Sequence, residues 1–177
     1  VNLSGANLWG AKLSRTNLSG ANLRGARLSN ADLTQSELSG ANLSNAELYN
    51  TQLMGANLIG ANLSGADLQK AQLTHTNLHK ANLTSAWLAG ANLQKANLQK
   101  ANLFRSTLHG ANLQDADLSA ANLMEASLIK ANLRDVDLQD ADLNKTILFK
   151  ASVSKSALIE AQLCLTSLPD YTMHNRD

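Results

Sequence analysis

The sequence predicts an all-β solenoid, a quadrilateral parallel β-helix with four five-residue words per 20-residue coil and about 8.5 coils. Three observations carry the prediction. Leu recurs at every fifth residue from Leu3 to Leu168, 34 positions of which only Val153 departs. Two residues before each stands a small side chain, Ala in 24 of the 34 words. All ten glycines fall two residues after the Leu.

The period excludes the common alternatives. On a helix, a step of five moves successive leucines about 140° around the axis and leaves no apolar stripe. On one long strand, an odd step alternates the leucines between faces. Within a word such as ANLQK (91–95), however, Ala and Leu are two apart and share a face. Turning the chain after every word satisfies both facts. Ala and Leu point in, three residues point out, and Gly sits near the corner, where unusual dihedrals cost least.

The number of words per coil follows from the residue before the Leu. With four words, the first column reads Asn2, Asn22, Asn42, Asn62, Asn82, Asn102, Asn122, Asp142, Gln162, eight Asn/Asp of nine. The second column holds two of nine, whereas three words per coil give columns of 8 of 12, 7 of 11 and 5 of 11 that hardly segregate. At roughly 4.8 Å per coil, the rod is on the order of 40 Å long. The buried Leu column supplies the core, and the stacked Ala column keeps the corners close, so larger residues there overpack. Stacked Asn in the first column predicts side-chain ladders.

Words such as ANLSG, ADLQK and ANLRD resemble the pentapeptide-repeat family, whose pattern is A(D/N)LXX, with a cyanobacterial flavour. The likeness runs from residue 1 to about 168 without interruption. It implies a right-handed quadrilateral β-helix with Leu and Ala inside. The hand agrees with the general preference for right-handed parallel crossovers.

The division expected is a β-helix over residues 1–168 and a C-terminal tail over 169–177. No amphipathic helix is expected at either end. The tail, SLPDYTMHNRD, leaves the pattern at Pro169, the one proline, and is similar to the LPDG-type endings of cyanobacterial members. Tyr171 and Met173 are expected to fold over the last coil as a small cap. The chain opens at Val1 in mid-pattern, so a preceding segment or another copy is expected against that end.

Composition narrows function by elimination. Formal net charge is +1, aromatics are 3% of residues, and one cysteine, Cys164, leaves no disulfide framework or Cys-based zinc site. No apolar run is long enough to span a membrane, and the cytoplasm is the expected compartment. No phosphate-binding glycine loop or nucleophile elbow is present. His75 and His79 have a zinc-like spacing but lie at a solenoid corner without further ligands. Asp115, Asp117, Asp135, Asp137, Asp140 and Asp142 form an acidic region without a cleft. No catalytic residue, cofactor or metal is therefore expected, and the protein is not expected to be an enzyme.

Function is expected on the outside of the rod. Numbering each coil's sides one to four in chain order, face two carries Trp9, Tyr49, Trp87, Ile129, Ile147 and Phe149. Trp and Tyr are favoured interface anchors, so this face is the expected surface for a protein partner or for self-association. A homodimer through an end of the rod is the other arrangement expected. Basic residues between 70 and 110 distribute over all four faces as a girdle, so nucleic acid is not the expected partner. The function predicted is a non-enzymatic interaction or structural scaffold. The alternative, implied by the resemblance, is a DNA mimic that binds DNA gyrase, as in quinolone resistance. That role asks for a strongly acidic face, which this chain lacks over most of its length.

Overall fold

A computed structural model describes residues 1–170 and the backbone of 173–174. Parallel pairing links each residue before a Leu to the one 20 positions on, from Asn2↔Asn22 to Ile147↔Ser167. Four words therefore make one turn of the coil. The pairing is so brief on each side that most sides are single bridges. Among the described residues, the parallel pairing extends to two residues only between Asn132–Leu133 (β1) and Ser152–Val153 (β2).

The five N–H groups of a word have five different fates, and these explain the word. In the first column, Asn22 N–H donates to Val1 of the coil before, and Leu23 N–H to Asn42 of the coil after. Gly25 N–H also reaches the following coil, at Ser44. Ala26 N–H turns back to Leu23 at 3.0 Å, closing a tight turn. The fifth, on the residue after the Leu, meets no backbone acceptor, and the Asn Oδ1 takes it: Arg24 N–H to Asn22 at 3.2 Å. The same bond recurs at Asn42, Asn62, Asn82, Asn102, Asn122 and Asp142. Asn and Asp recur because their short side chains reach a donor two residues on.

Each corner places its third residue in the left-handed region. Every fifth residue from Gly5 to Lys150, and Leu165, has φ between +53° and +66°. Gly relieves that conformation at ten corners, but 21 carry a side chain, Lys most often. A left-handed non-glycine costs about 1–2 kcal/mol, so the tertiary hydrogen bonds of the ladder hold these corners against their local preference.

Inside, the inward Leu and Ala between residues 21 and 148 are almost wholly removed from water. Leu3, Leu8 and Leu13 of the first coil, and Leu158, Ala161 and Leu163 near the other end, are partly exposed. Where Thr replaces Ala from the third coil onward, its hydroxyl donates to a Leu carbonyl of the preceding coil: Thr51 to Leu28, Thr76 to Leu53, Thr146 to Leu123 and Thr166 to Leu143, at 2.7–2.8 Å; Thr16 of the first coil donates to Leu13 instead. Ser36, shorter by a methyl, is fully buried and its Oγ has no partner.

Among the described residues the ladder is interrupted at one place, by a short helix that the five-residue period does not announce. Residues Lys155–Ile159 form a short helix, α1, capped by Ser154, whose hydroxyl accepts Ala157 N–H at 3.1 Å. The physical reason lies in the word. From residue 147 to 167, five consecutive words (Ile147, Ser152, Ala157, Gln162, Ser167) lack the Asn or Asp that satisfies the fifth N–H. Elsewhere such gaps are at most two words long. Leu158 keeps the period of five and still packs on the core, so the leucine pattern does not reveal the helix. Pairing resumes at Asp142↔Gln162. Thr166–Ser167 (β3) then pairs antiparallel with Met173–His174 (β4), so the tail returns along the last coil. The expected cap by the Tyr171 and Met173 side chains lies outside the described residues.

Candidate functional site: the outer faces

With Leu and Ala filling the interior, the chemistry available to a partner is that of the outward positions. The structure divides the face-two residues into three places. Ile129 and Phe149 lie on successive coils, joined through Lys130 N–H to the Phe149 carbonyl at 2.9 Å. Ile147 is in the same word as Phe149 and is exposed. These three make one apolar patch, with the Lys150 ammonium 5.1 Å from the Phe149 ring centre. Trp87, 58% exposed, sits between Asp67 and Thr107 in the column that leads to Ile147. Three coil steps separate the two, about 14 Å at the usual strand spacing.

Tyr49 lies two coils before Trp87, and Trp9 lies on the first coil. Tyr49 pairs with Lys70, whose ammonium lies 5.4 Å from the ring centre. Hydrogen bonding to the Tyr49 hydroxyl holds Lys70 above the usual lysine value. Trp9 is 64% exposed on the first coil, two coils before Tyr49. Exposed large apolar residues also occur on other faces, among them Met54, Ile59, Ile159 and Leu165.

Face four has a pattern that counting by words conceals. Each corner residue borders two faces, so positions 75, 95, 115 and 135 flank face four as closely as positions 80, 100, 120 and 140. Assigned this way, much of the girdle falls beside one face: His75, His79, Lys80, Lys95 and Lys100 border face four, while Lys70, Arg105 and His109 lie elsewhere. The next two coils place Asp115, Asp117, Asp135, Asp137 and Asp140 on the same face. Burial pushes the Asp117 carboxyl up, but hydrogen bonds from Ser119 and Gln99, with the nearby His79, outweigh it and hold the group below its usual value.

The Asn ladder is present in part. Asn82 donates to Asn62 at 3.3 Å and Asn62 to Asn42 at 3.5 Å in the first column. A second ladder, unexpected from the sequence, runs through Asn132, Asn112 and Asn92 on face three at 2.9 and 3.3 Å. Among the described residues, no group of three His, Cys, Asp or Glu is placed to hold a metal ion. A shallow hollow at the break in the ladder is lined by Arg134, Asp135, Ser152, Val153 and Ser154. No described helix is long and apolar enough to cross a membrane.

A stack of five-residue words with Asn-capped corners and a Leu/Ala interior defines a class of β-solenoid. The chain belongs to the pentapeptide-repeat family: the family model "Pentapeptide repeats" matches eight copies between residues 2 and 163. It is similar to HetL, a pentapeptide repeat protein involved in heterocyst differentiation regulation from the cyanobacterium Nostoc sp. strain PCC 7120. Identity is 33%, over 98% of this chain and 92% of that one, with a TM-score of 0.62. The Nostoc pentapeptide repeat protein alr5209 is 34% identical over 58% of this chain and 84% of its own, with a TM-score of 0.51. QnrB1, a plasmid-mediated fluoroquinolone resistance protein, shares the fold at 19% identity, over 86% of this chain and 80% of its own, with a TM-score of 0.52. No match was found among curated proteins. These likenesses imply the right-handed quadrilateral β-helix of the family.

Proposed function

We propose that the protein is a non-enzymatic interaction scaffold, a rigid rod of about 8.5 coils that presents flat faces to a protein partner. The observation that carries this reading is the contrast between a filled interior and large apolar side chains held outside it. Ile129, Ile147 and Phe149 form the centre of the binding face, and Trp87 is a second anchor along the same side. Tyr49 and Trp9 extend the face only for a partner that spans most of the rod. The likeness to HetL, a protein involved in regulation, supports a role in binding rather than in chemistry.

The gyrase-mimic reading has less support. The likeness to QnrB1 speaks to fold alone. A DNA mimic needs acid along its length, whereas face four changes from basic to acidic halfway along. The test has two arms. Titrated into a DNA gyrase supercoiling assay, with and without a quinolone, the protein is expected to have no effect; inhibition or protection would favour the mimic. Cross-linking in the native host is expected to give a specific adduct that Phe149→Asp and Trp87→Asp abolish and Asn92→Asp retains. An adduct unchanged by the face-two variants would remove face two as the site.

A further inference from the structure

The charges bordering face four are segregated along the rod axis, with the basic group on the two coils before Asp115 and the acidic group on the two coils from Asp115 onward. Among the described residues, the ion pairs are Arg27–Glu47 on face two and Arg105–Glu125 and Lys145–Glu125 at another corner. Lys80, Lys95, Asp115, Asp135 and Asp140 are exposed and take part in none of them. Stacking Asp115 on Asp135 and Asp117 on Asp137, one coil apart, places like charges about 4.8 Å apart along the strand-pairing direction, an arrangement that costs stability in the isolated chain.

We propose that face four binds a second copy of this chain, antiparallel, about a two-fold axis between the fifth and sixth coils. A two-fold contact brings the same patch of both subunits together, so the patch must be complementary to itself. Face four meets that requirement at three kinds of charged pair along its two edges, while Lys100 falls opposite Ala120. A two-fold axis lying across the face reverses the rod direction and keeps each edge opposite its own counterpart. Along one edge, Lys95 then falls opposite Asp115 of the second copy, and His75 opposite its Asp135. Along the other, Lys80 falls opposite Asp140.

A second set of side chains fits the same register without having been used to choose it. The large apolar residues exposed on face four are Ile59, 38% exposed, and Ile159, 82% exposed on α1. The register that matches the charges sets Ile59 of one copy opposite Ile159 of the other, once at each end of the contact. The strip from the third to the eighth coil is about 24 Å long at the usual coil spacing. One side of a slender rod over that length falls short of the roughly 800 Å² per partner of a standard interface. The dimer is accordingly weak, electrostatically steered and dependent on ionic strength.

Sedimentation equilibrium on the whole chain tests this. At about 0.02 M salt the protein is expected to form dimers with increasing concentration, and at about 0.5 M, where screening is short-ranged, to be monomeric. The double reversals Lys80→Glu/Lys95→Glu and Asp115→Lys/Asp140→Lys each put like charges together. Each is expected to raise the dimer dissociation constant at least about tenfold. An equal mixture of the two variants restores opposite charges at every pair and is expected to dimerise again as a heterodimer. Circular dichroism of each variant checks that the rod is folded. The face-two variant Phe149→Asp is expected to dimerise normally, which separates this surface from the one proposed for a partner. A wild-type protein that stays monomeric at low salt would overturn the proposal. So would a dimer indifferent to both reversals, or a mixture that fails to associate.

Discussion

The regular ladder up to residue 150 and the stretch from 151 to 160 share the five-residue period, yet they fold differently. In the ladder, a word that keeps Asn or Asp before the Leu satisfies its fifth N–H locally, as Asn102 does for Phe104. In the stretch, Ser152 and Ala157 occupy that place, Val153 replaces a Leu, and the chain closes a helical turn at Ser154 instead. Hydrophobic periodicity places side chains in the core, but it does not choose between two backbones that both bury Ala157 and Leu158. A run of words without the local polar bond accompanies the switch, while Ile147 and Gln162 at its edges still pair in the ladder.

The largest expected difference between the regions is in the core. Leu103→Ala, in the middle of the ladder and fully buried, is expected to cost about 2–5 kcal/mol in chemical denaturation. Leu158→Ala, partly exposed beside the break, is expected to cost clearly less. Equal losses would mean that the stretch is packed as tightly as the ladder.

Next in size is the capping side chain. Asn82 accepts from Thr84 N–H and hydroxyl and donates to Asn62. Asn82→Leu is expected to lose about 1–2 kcal/mol, while Gln162→Leu, in a word without that cap, is expected to change stability little. Should Asn82→Leu lose nothing, neither the turn bond nor the ladder bond stabilises the fold.

The buried hydroxyls give a smaller effect that ties the regions together. Thr76→Val and Thr166→Val each remove one bond to a Leu carbonyl of the coil before, and each is expected to cost about 1 kcal/mol. Ser36→Ala removes a hydroxyl that has no partner and is expected to be neutral or stabilising. A marked loss for Ser36→Ala would show that its Oγ is satisfied in solution.

The smallest effect is on pH. Asp32 is held below its usual value by hydrogen bonds from the Thr34 side chain and backbone, and Asp117 is also lowered. A lowered carboxylate contributes stability that is fully present above the unfolded value of 3.8 and is lost as pH falls through the folded value. Thermal melts from pH 6 to about 2 are therefore expected to show a shallower decline for Asp117→Asn than for wild type. Parallel curves would mean that Asp117 is equally protonated in both states.

Much of this architecture is legible in the sequence because one letter in five has one fate. The inward Leu and Ala, the corner at Gly and the 20-residue register all follow from counting. Three features did not, each for a physical reason. The Asn side chain was read as a ladder between coils, whereas its more frequent bond is to a backbone N–H two residues on, invisible to column statistics. Helix α1 escaped because Leu158 holds the period. Much of the basic girdle gathers beside face four, because a corner residue such as Lys95 borders two faces and was counted on the other, while Lys70, Arg105 and His109 stay outside it. On face two, the 20-residue register alone puts Ile129 and Phe149 on successive coils and Trp9 and Tyr49 several coils before them.

The measurement that bears most directly on the capped word is hydrogen exchange on a ladder deprived of it. The variant Asn92→Ser/Asn97→Ala/Asn102→Ser creates, in the middle of the rod, the kind of uncapped run found from 147 onward. Amides between 92 and 105 are expected to lose protection to the level of those between 155 and 160, while coils on either side stay protected. Protection that remains at the wild-type level across 92–105 would contradict the account, and would place the choice between ladder and helix in the core rather than in the Asn bond.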